Sequence, residues 1–123
     1  MSKIVQKPWG KEIWLELNEK YCYKRIYINA GTRTSFQYHT HKLETNFIAD
    51  GEAEIWLENN DGTIEKKIMK SGEYFTVHPP KKHRVIAITD VVLMEVSTPE
   101  VDDVIRLDDD MSRPNGRIES EHA

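Results

Sequence analysis

Apolar and polar residues trade places at every second position through much of this chain, most clearly at 52–58. That is the spacing of side chains on a half-buried strand. Runs rich in branched and aromatic residues fall at 12–17, 21–29, 32–41, 43–49, 52–58, 63–69, 73–77, 83–89 and 91–97. Turn residues separate them: Ala30-Gly31, Asp50-Gly51, Asn59-Asn60-Asp61-Gly62, Ser71-Gly72 and Pro79-Pro80. No stretch before Glu100 keeps a helical period for three turns. About nine short strands at this even spacing predict an all-β protein, an antiparallel barrel or sandwich. After Thr98-Pro99 the texture changes. Residues 101–110 fit either one turn of helix or an added edge strand, and 113–123 are polar and expected to be flexible. The predicted organisation is one barrel over 1–112 and a tail over 113–123.

Composition narrows the class. The 123 residues are 38% hydrophobic and 31% charged, the balance of a globular domain with one core. No apolar run is long enough to cross a bilayer as a helix, and the opening Met-Ser-Lys-Ile lacks the apolar stretch of a secretory signal, so a cytoplasmic location is expected. Cys22 is the only cysteine, which excludes an intrachain disulfide and a thiolate-rich zinc site. The net charge of −4 is concentrated at the end, where eight acids face three arginines from Glu100 onward. The nearly neutral body offers no basic stripe for nucleic acid.

The histidines are distributed unevenly. Alternation places His39 and His41 on one strand face, with Glu44 after a short turn and His83 opening a later strand. Imidazole nitrogens with one carboxylate suit a single divalent transition metal: Mn, Fe, Co, Ni or Zn. The alternative is a pair of surface histidines at a strand edge. His78, beside the prolines, and His122, in the tail, are set aside as ligands.

These residues resemble the cupins. Gly31, His39-x-His41, Glu44 and Gly51 look like the first cupin motif, and Gly72, Pro79-Pro80 and His83 like the second. The short interval from His41 to Glu44, with Gln37 two before His39, is similar to the C-terminal isomerase domain of type II phosphomannose isomerases, which also carry a guanylyltransferase domain. Pro8-Trp9-Gly10, Ser35-Phe-Gln-Tyr-His39, His83-Arg84, Glu95-Val96 and Asp102-Asp-Val-Ile-Arg106 extend the likeness over most of the chain. It departs at Lys42-Leu-Glu-Thr-Asn46, where the family has Arg-Ala-Glu-His-Trp. The resemblance implies a double-stranded β-helix, or jelly-roll barrel, with His39, His41, Glu44 and His83 as metal ligands. The implied activity is aldose–ketose interconversion of a sugar phosphate such as mannose 6-phosphate. Other metal-dependent cupin chemistry, by an oxygenase or lyase, and non-catalytic sugar binding stay open as alternatives.

Period two extends the pocket. Ser35 and Gln37 share the face of His39, and Gln37 is either a further ligand, a contact to a sugar hydroxyl or a rim residue bonded to backbone. Asn46 follows Glu44 inward toward substrate. On 21–29, Cys22, Lys24, Ile26 and Ile28 form the more apolar, inward face. Lys24 then either reaches the cavity, to hold a phosphate or an enediolate, or packs its stem and sends its amine to water. Arg84 and Arg106 are candidates for a phosphate or for pairing with Asp102, Asp103 or Asp108. Glu95, on an otherwise apolar strand, is a candidate for a proton shuttle or for pairing a neighbouring cation; Glu95 and Lys24 are the candidate bases. The expected partner is a sugar or sugar phosphate, with neither nucleic acid nor membrane. Tyr21, Tyr23 and Tyr27, with Trp14 and Trp56, exceed what a small interior holds, so a homodimer through an outer face is expected.

Overall fold

A computed structural model of the chain describes residues 3–108 and 116–117. The strands are β1 (Lys3–Lys7), β2 (Gly10–Leu17), β3 (Cys22–Ile28), β4 (Phe36–Tyr38), β5 (Glu44–Asp50), β6 (Glu52–Glu58), β7 (Ile64–Lys70), β8 (Tyr74–Val77), β9 (His83–Ala87), β10 (Val91–Ser97), β11 (Ile105–Asp108) and β12 (Gly116–Arg117). No helix occurs among the described residues. Two six-stranded antiparallel sheets result, ordered β1-β2-β3-β10-β5-β8 and β12-β11-β4-β9-β6-β7. Apolar residues of both sheets, among them Ile26, Ile28, Ile48 and Leu93 from the first and Ile55, Val85 and Ala87 from the second, meet in one buried core. The all-β barrel predicted from alternation is therefore the observed architecture.

Register turns the inward-facing side chains into layers. Ile28 pairs with Val91, and Ile26 with Leu93, which also faces Ile48. One step along, Trp14, Lys24, Glu95, Asn46 and Phe75 form a row across five strands. The next row holds Cys22, Ser97, Glu44 and Val77. In the second sheet Ile55 pairs with Val85, while Leu57, His83, Gln37 and Arg106 make a parallel row. Each of β3, β5 and β10 thus changes from aliphatic to polar halfway along its inner face. One half of the barrel is an oily anchor of the kind that stabilises by excluding water; the other half is a polar interior held in place by it.

The structure departs from the predicted elements at two places and settles a third. The stretch 32–41 is a strand only at Phe36–Tyr38, because the backbone after Tyr38 is drawn into a turn by Asp103. Lys3–Lys7 forms an edge strand on β2 that a polar, lysine-bearing sequence did not signal. Residues 105–108 take the edge-strand alternative, pairing with β4, and Gly116–Arg117 pair with β11. The rest of the tail expected at 113–123 lies outside the described residues. Trp14, expected among outer-face aromatics, is buried beside Lys24, whereas Tyr21, Tyr23, Phe47, Tyr74 and Val96 are exposed on the outside of the first sheet.

The chain crosses from β5 in the first sheet to β6 in the second at Gly51, whose φ of 97° is left-handed. A Cβ there would sit 2.2 Å from the Asp90 carbonyl oxygen and 2.9 Å from Thr89 Oγ1. Gly51→Ala is therefore expected to cost about 2 kcal/mol or more. It should lower the urea midpoint at constant slope, and an unchanged midpoint would contradict this account of the turn.

Candidate metal centre

Three chemistry-bearing side chains reach the polar half of the barrel from strand ends. Glu44 is the first residue of β5 and His83 the first of β9. His39 follows immediately after β4, whose Gln37 pairs with His83 and so shares its inward face. All three are buried, and one ligand atom from each lies within 4.8 Å of the others. The two imidazole centroids stand 5.0 Å apart. Glu44 Oε1 is 2.7 Å from His39 Nε2 and 3.6 Å from His83 Nε2.

Hydrogen bonding on the far side of each ring decides what faces inward. His39 Nδ1 lies 2.6 Å from the Asp103 carbonyl oxygen, and His83 Nδ1 lies 3.1 Å from that of Lys81. A carbonyl only accepts, so each Nδ1 carries the donated hydrogen, and in the neutral form of each ring the lone pair of Nε2 faces Glu44. Asn46 Nδ2 donates to Glu44 Oε2 at 2.8 Å, leaving Oε1 directed at the rings. Two lone pairs and a carboxylate oxygen cannot satisfy one another. A proton on His39 Nε2 would bridge one of these contacts; a divalent cation would serve all three acceptors together. Far-side hydrogen bonds of this kind are also what orients histidines toward a metal. The donor set therefore fits a borderline divalent ion.

Charge around the cluster supports the same reading. Burial pushes His83 down to about 4, against the opposing pull of Glu44, so its imidazole is neutral near pH 7. Burial resists ionisation of Glu44, but the charge of Lys42 opposes it, and the carboxyl is held well below its usual range. Lys42 is itself buried; desolvation opposes its charge, yet the carboxylates of Glu95, Glu44 and Glu12 raise its pKa above the ordinary lysine value. Its Nζ sits 3.1 Å from Glu95 Oε2. A second buried pair joins Lys24 Nζ to Glu12 Oε1 at 3.2 Å, with Trp14 Nε1 donating to the same oxygen at 2.9 Å. These groups line one cavity with about 80 Å³ of room for water centres. One water needs about 10–15 Å³ by that measure, so the space admits a small polar ligand.

The candidates from the sequence divide accordingly. His39, Glu44, His83, Gln37, Asn46, Lys24 and Glu95 all line this cavity. The Lys24 amine is buried over the Trp14 ring at 4.5 Å, which corrects the alternative that it reaches water. His41 does not join: it is exposed, because strand alternation ends at Tyr38 and the following turn sends His39 inward and His41 outward. Arg84 is on the opposite face of β9 from His83, with Nε donating to the Thr34 carbonyl and its guanidinium 5.4 Å from the Trp56 ring. Arg106 shares the row of Gln37 but is not among the cavity-lining residues. Sequence reasoning missed Lys42, Glu12 and Asp103. For Lys42 the signal was its place in the short turn between His41 and Glu44.

The family model described as mannose-6-phosphate isomerase C-terminal matches residues 1–109. Among curated relatives, the mannose-1-phosphate guanylyltransferase ManC of Salmonella typhimurium is 28% identical over 92% of this chain and 24% of its own length. The chain spans about a quarter of the length of the curated relatives it matches. An RmlC-like cupin from Shewanella frigidimarina superposes with a TM-score of 0.68 at 22% identity, covering 84% of this chain and 88% of its own. Oxalate decarboxylase from Bacillus subtilis, described with Mn(II) centres, superposes at 0.73 with 14% identity over 85% of this chain and 30% of its own. At such identities the structural likenesses establish the fold alone, and that fold is the cupin barrel.

The His83 shift gives a pH signature in chelator-treated protein. Its folded pKa of about 4 lies below the ordinary 6.5, so unfolded chains take up the proton first as pH falls. The His83 contribution is complete above pH 6.5 and is lost on acidification toward 4, by at most about 3 kcal/mol. Urea unfolding at pH 7 and at pH 5 should show this loss in the parent chain and a smaller one in His83→Gln; parallel profiles would contradict the assignment.

Proposed function

The chain belongs to the mannose-6-phosphate isomerase C-terminal family, and on that premise we propose that it is a metal-dependent sugar-phosphate isomerase of the mannose 6-phosphate to fructose 6-phosphate type. The observation that carries this reading is the convergence of His39, Glu44 and His83 on the wall of a cavity that also holds a buried Glu95–Lys42 pair. His39, Glu44 and His83 would hold one divalent ion, with Gln37 on the same face as a further oxygen donor. Mn, Fe, Co, Ni and Zn all suit such ligands. When bound, the ion supplies Lewis acidity toward the carbonyl and adjacent hydroxyl oxygens of an open-chain sugar.

The chain's own residues supply the proton handling. Glu95 is the base: its carboxylate takes the proton from the carbon beside the carbonyl and returns it to the former carbonyl carbon, giving the isomeric sugar through an enediol. Lys42, held charged by its carboxylate neighbours, faces the oxygen on which negative charge develops. Lys24 is less suited to the base role, because its ammonium is engaged by Glu12 and lies over Trp14. It serves as a fixed charge on the wall. Asn46 holds Glu44 in orientation through its 2.8 Å hydrogen bond. The buried aliphatic half of the barrel keeps bulk water away from the enediol.

The exposed aromatic face of the first sheet is the surface proposed for homodimer contact. Light scattering should return twice the 14.4 kDa chain mass; the single-chain mass would overturn the dimer.

A coupled assay with each of the five ions added to chelator-treated protein tests the activity. Conversion of mannose 6-phosphate is expected with at least one of them. Glu95→Gln should lower kcat by about 100-fold or more with little change in KM, as expected for loss of a general base. His83→Ala should abolish the metal response. No conversion with any ion, or oxygen consumption with Fe(II) in its place, would overturn the isomerase reading.

A further inference from the structure

Asp103 touches the cluster from outside it. It lies between β10 and β11, 64 residues from His39, whose Nδ1–H donates to its main-chain oxygen at 2.6 Å. Its carboxylate accepts from four donors on the adjoining turn. Oδ1 receives the Thr40 N–H at 3.1 Å and the Thr40 hydroxyl at 2.8 Å. Oδ2 receives the N–H groups of His41 at 2.6 Å and Lys42 at 3.0 Å. Three successive N–H groups aimed at one carboxylate make a concave anion site of backbone, a shape an extended strand cannot adopt. These bonds outweigh desolvation and hold the Asp103 carboxyl well below its usual range.

We propose that Asp103 is a positioning residue for the metal centre: its side chain pins the turn that carries His39 and Lys42, and its carbonyl fixes which nitrogen of His39 faces Glu44. The inference rests on the reading that His39, Glu44 and His83 hold a divalent ion. One residue thereby sets both the place and the tautomer of a ligand histidine. The same clamp explains why His41 is turned out although it stands two positions from His39. Replacing the carboxylate by an amide keeps its volume but turns one acceptor into a donor facing backbone N–H groups.

The test is a cobalt(II) titration of the chelator-treated full chain, followed through the visible absorption of the bound ion. Asp103→Asn is expected to weaken affinity about 10–100-fold and to alter the absorption bands, the scale typical of removing a group that orients a ligand. Asp103→Glu, which keeps the charge, should recover part of both. Thr40→Val removes only the hydroxyl bond, so it should give a smaller loss and serves should Asp103→Asn fail to fold. In metal-free protein, nitrogen-15 spectra of the histidine rings should show His39 with hydrogen on Nδ1 in the parent chain and a mixture of tautomers in Asp103→Asn. A residue with a merely stabilising role would lower the urea midpoint yet leave affinity, bands and tautomer unchanged. That result, with the parent chain binding cobalt normally, overturns the proposal alone. A parent chain that binds no cobalt overturns the metal reading and the proposal with it.

Discussion

Two imidazole nitrogens and a carboxylate oxygen are held together in a buried pocket while the hydrogens of the rings' far nitrogens are taken up by main-chain carbonyls. Such a cluster calls for positive charge at its centre. The far-side bonds to the carbonyls of Asp103 and Lys81 are what create the demand, because they fix the tautomers. Burial adds to it by keeping His83 neutral. Neither the barrel nor the individual residues would be informative without this convergence.

The fold makes the convergence possible by dividing the barrel along its length. Aliphatic layers around Ile26, Ile48, Ile55 and Leu93 supply the cohesion, and the polar layers are carried on the same strands two to four residues further along. A polar interior of this kind is expensive unless its charges are matched. Here they are matched in pairs, Lys42 with Glu95 and Lys24 with Glu12. The two ion pairs leave Glu44 as the carboxylate that faces the imidazoles. Electrostatic neutrality of the wall and the directed acceptors of the cluster are therefore parts of one arrangement.

Much of this was legible in the chain. Alternation gave the strands, and it sorted Cys22, Lys24, Ile26 and Ile28 from the tyrosines between them, because β3 is extended throughout. It placed Glu44, Asn46 and Ile48 correctly for the same reason. It failed after Tyr38, where a contact from a residue far along the chain bends the backbone and reverses the expected position of His41. No local pattern encodes such a contact. Arg84 misled in a different way. The sequence His83-Arg84 puts two attractive side chains side by side, but neighbours on a strand face opposite ways, and only His83 turns inward. Lys42 was passed over because a lysine in a turn ordinarily points to water; its burial follows from Glu95, on a strand paired through register with Lys24 and Asn46.

The central claim is that the buried cluster is a metal centre with three protein ligands from this set. Anomalous diffraction from crystals of the cobalt- or manganese-loaded chain, collected on either side of the metal's absorption edge, tests it most directly. The account predicts one strong peak in the cavity, bonded to His39 Nε2, Glu44 Oε1 and His83 Nε2, with His41 turned away. A peak at His41 or on the outer surface, with none among those three atoms, would contradict it.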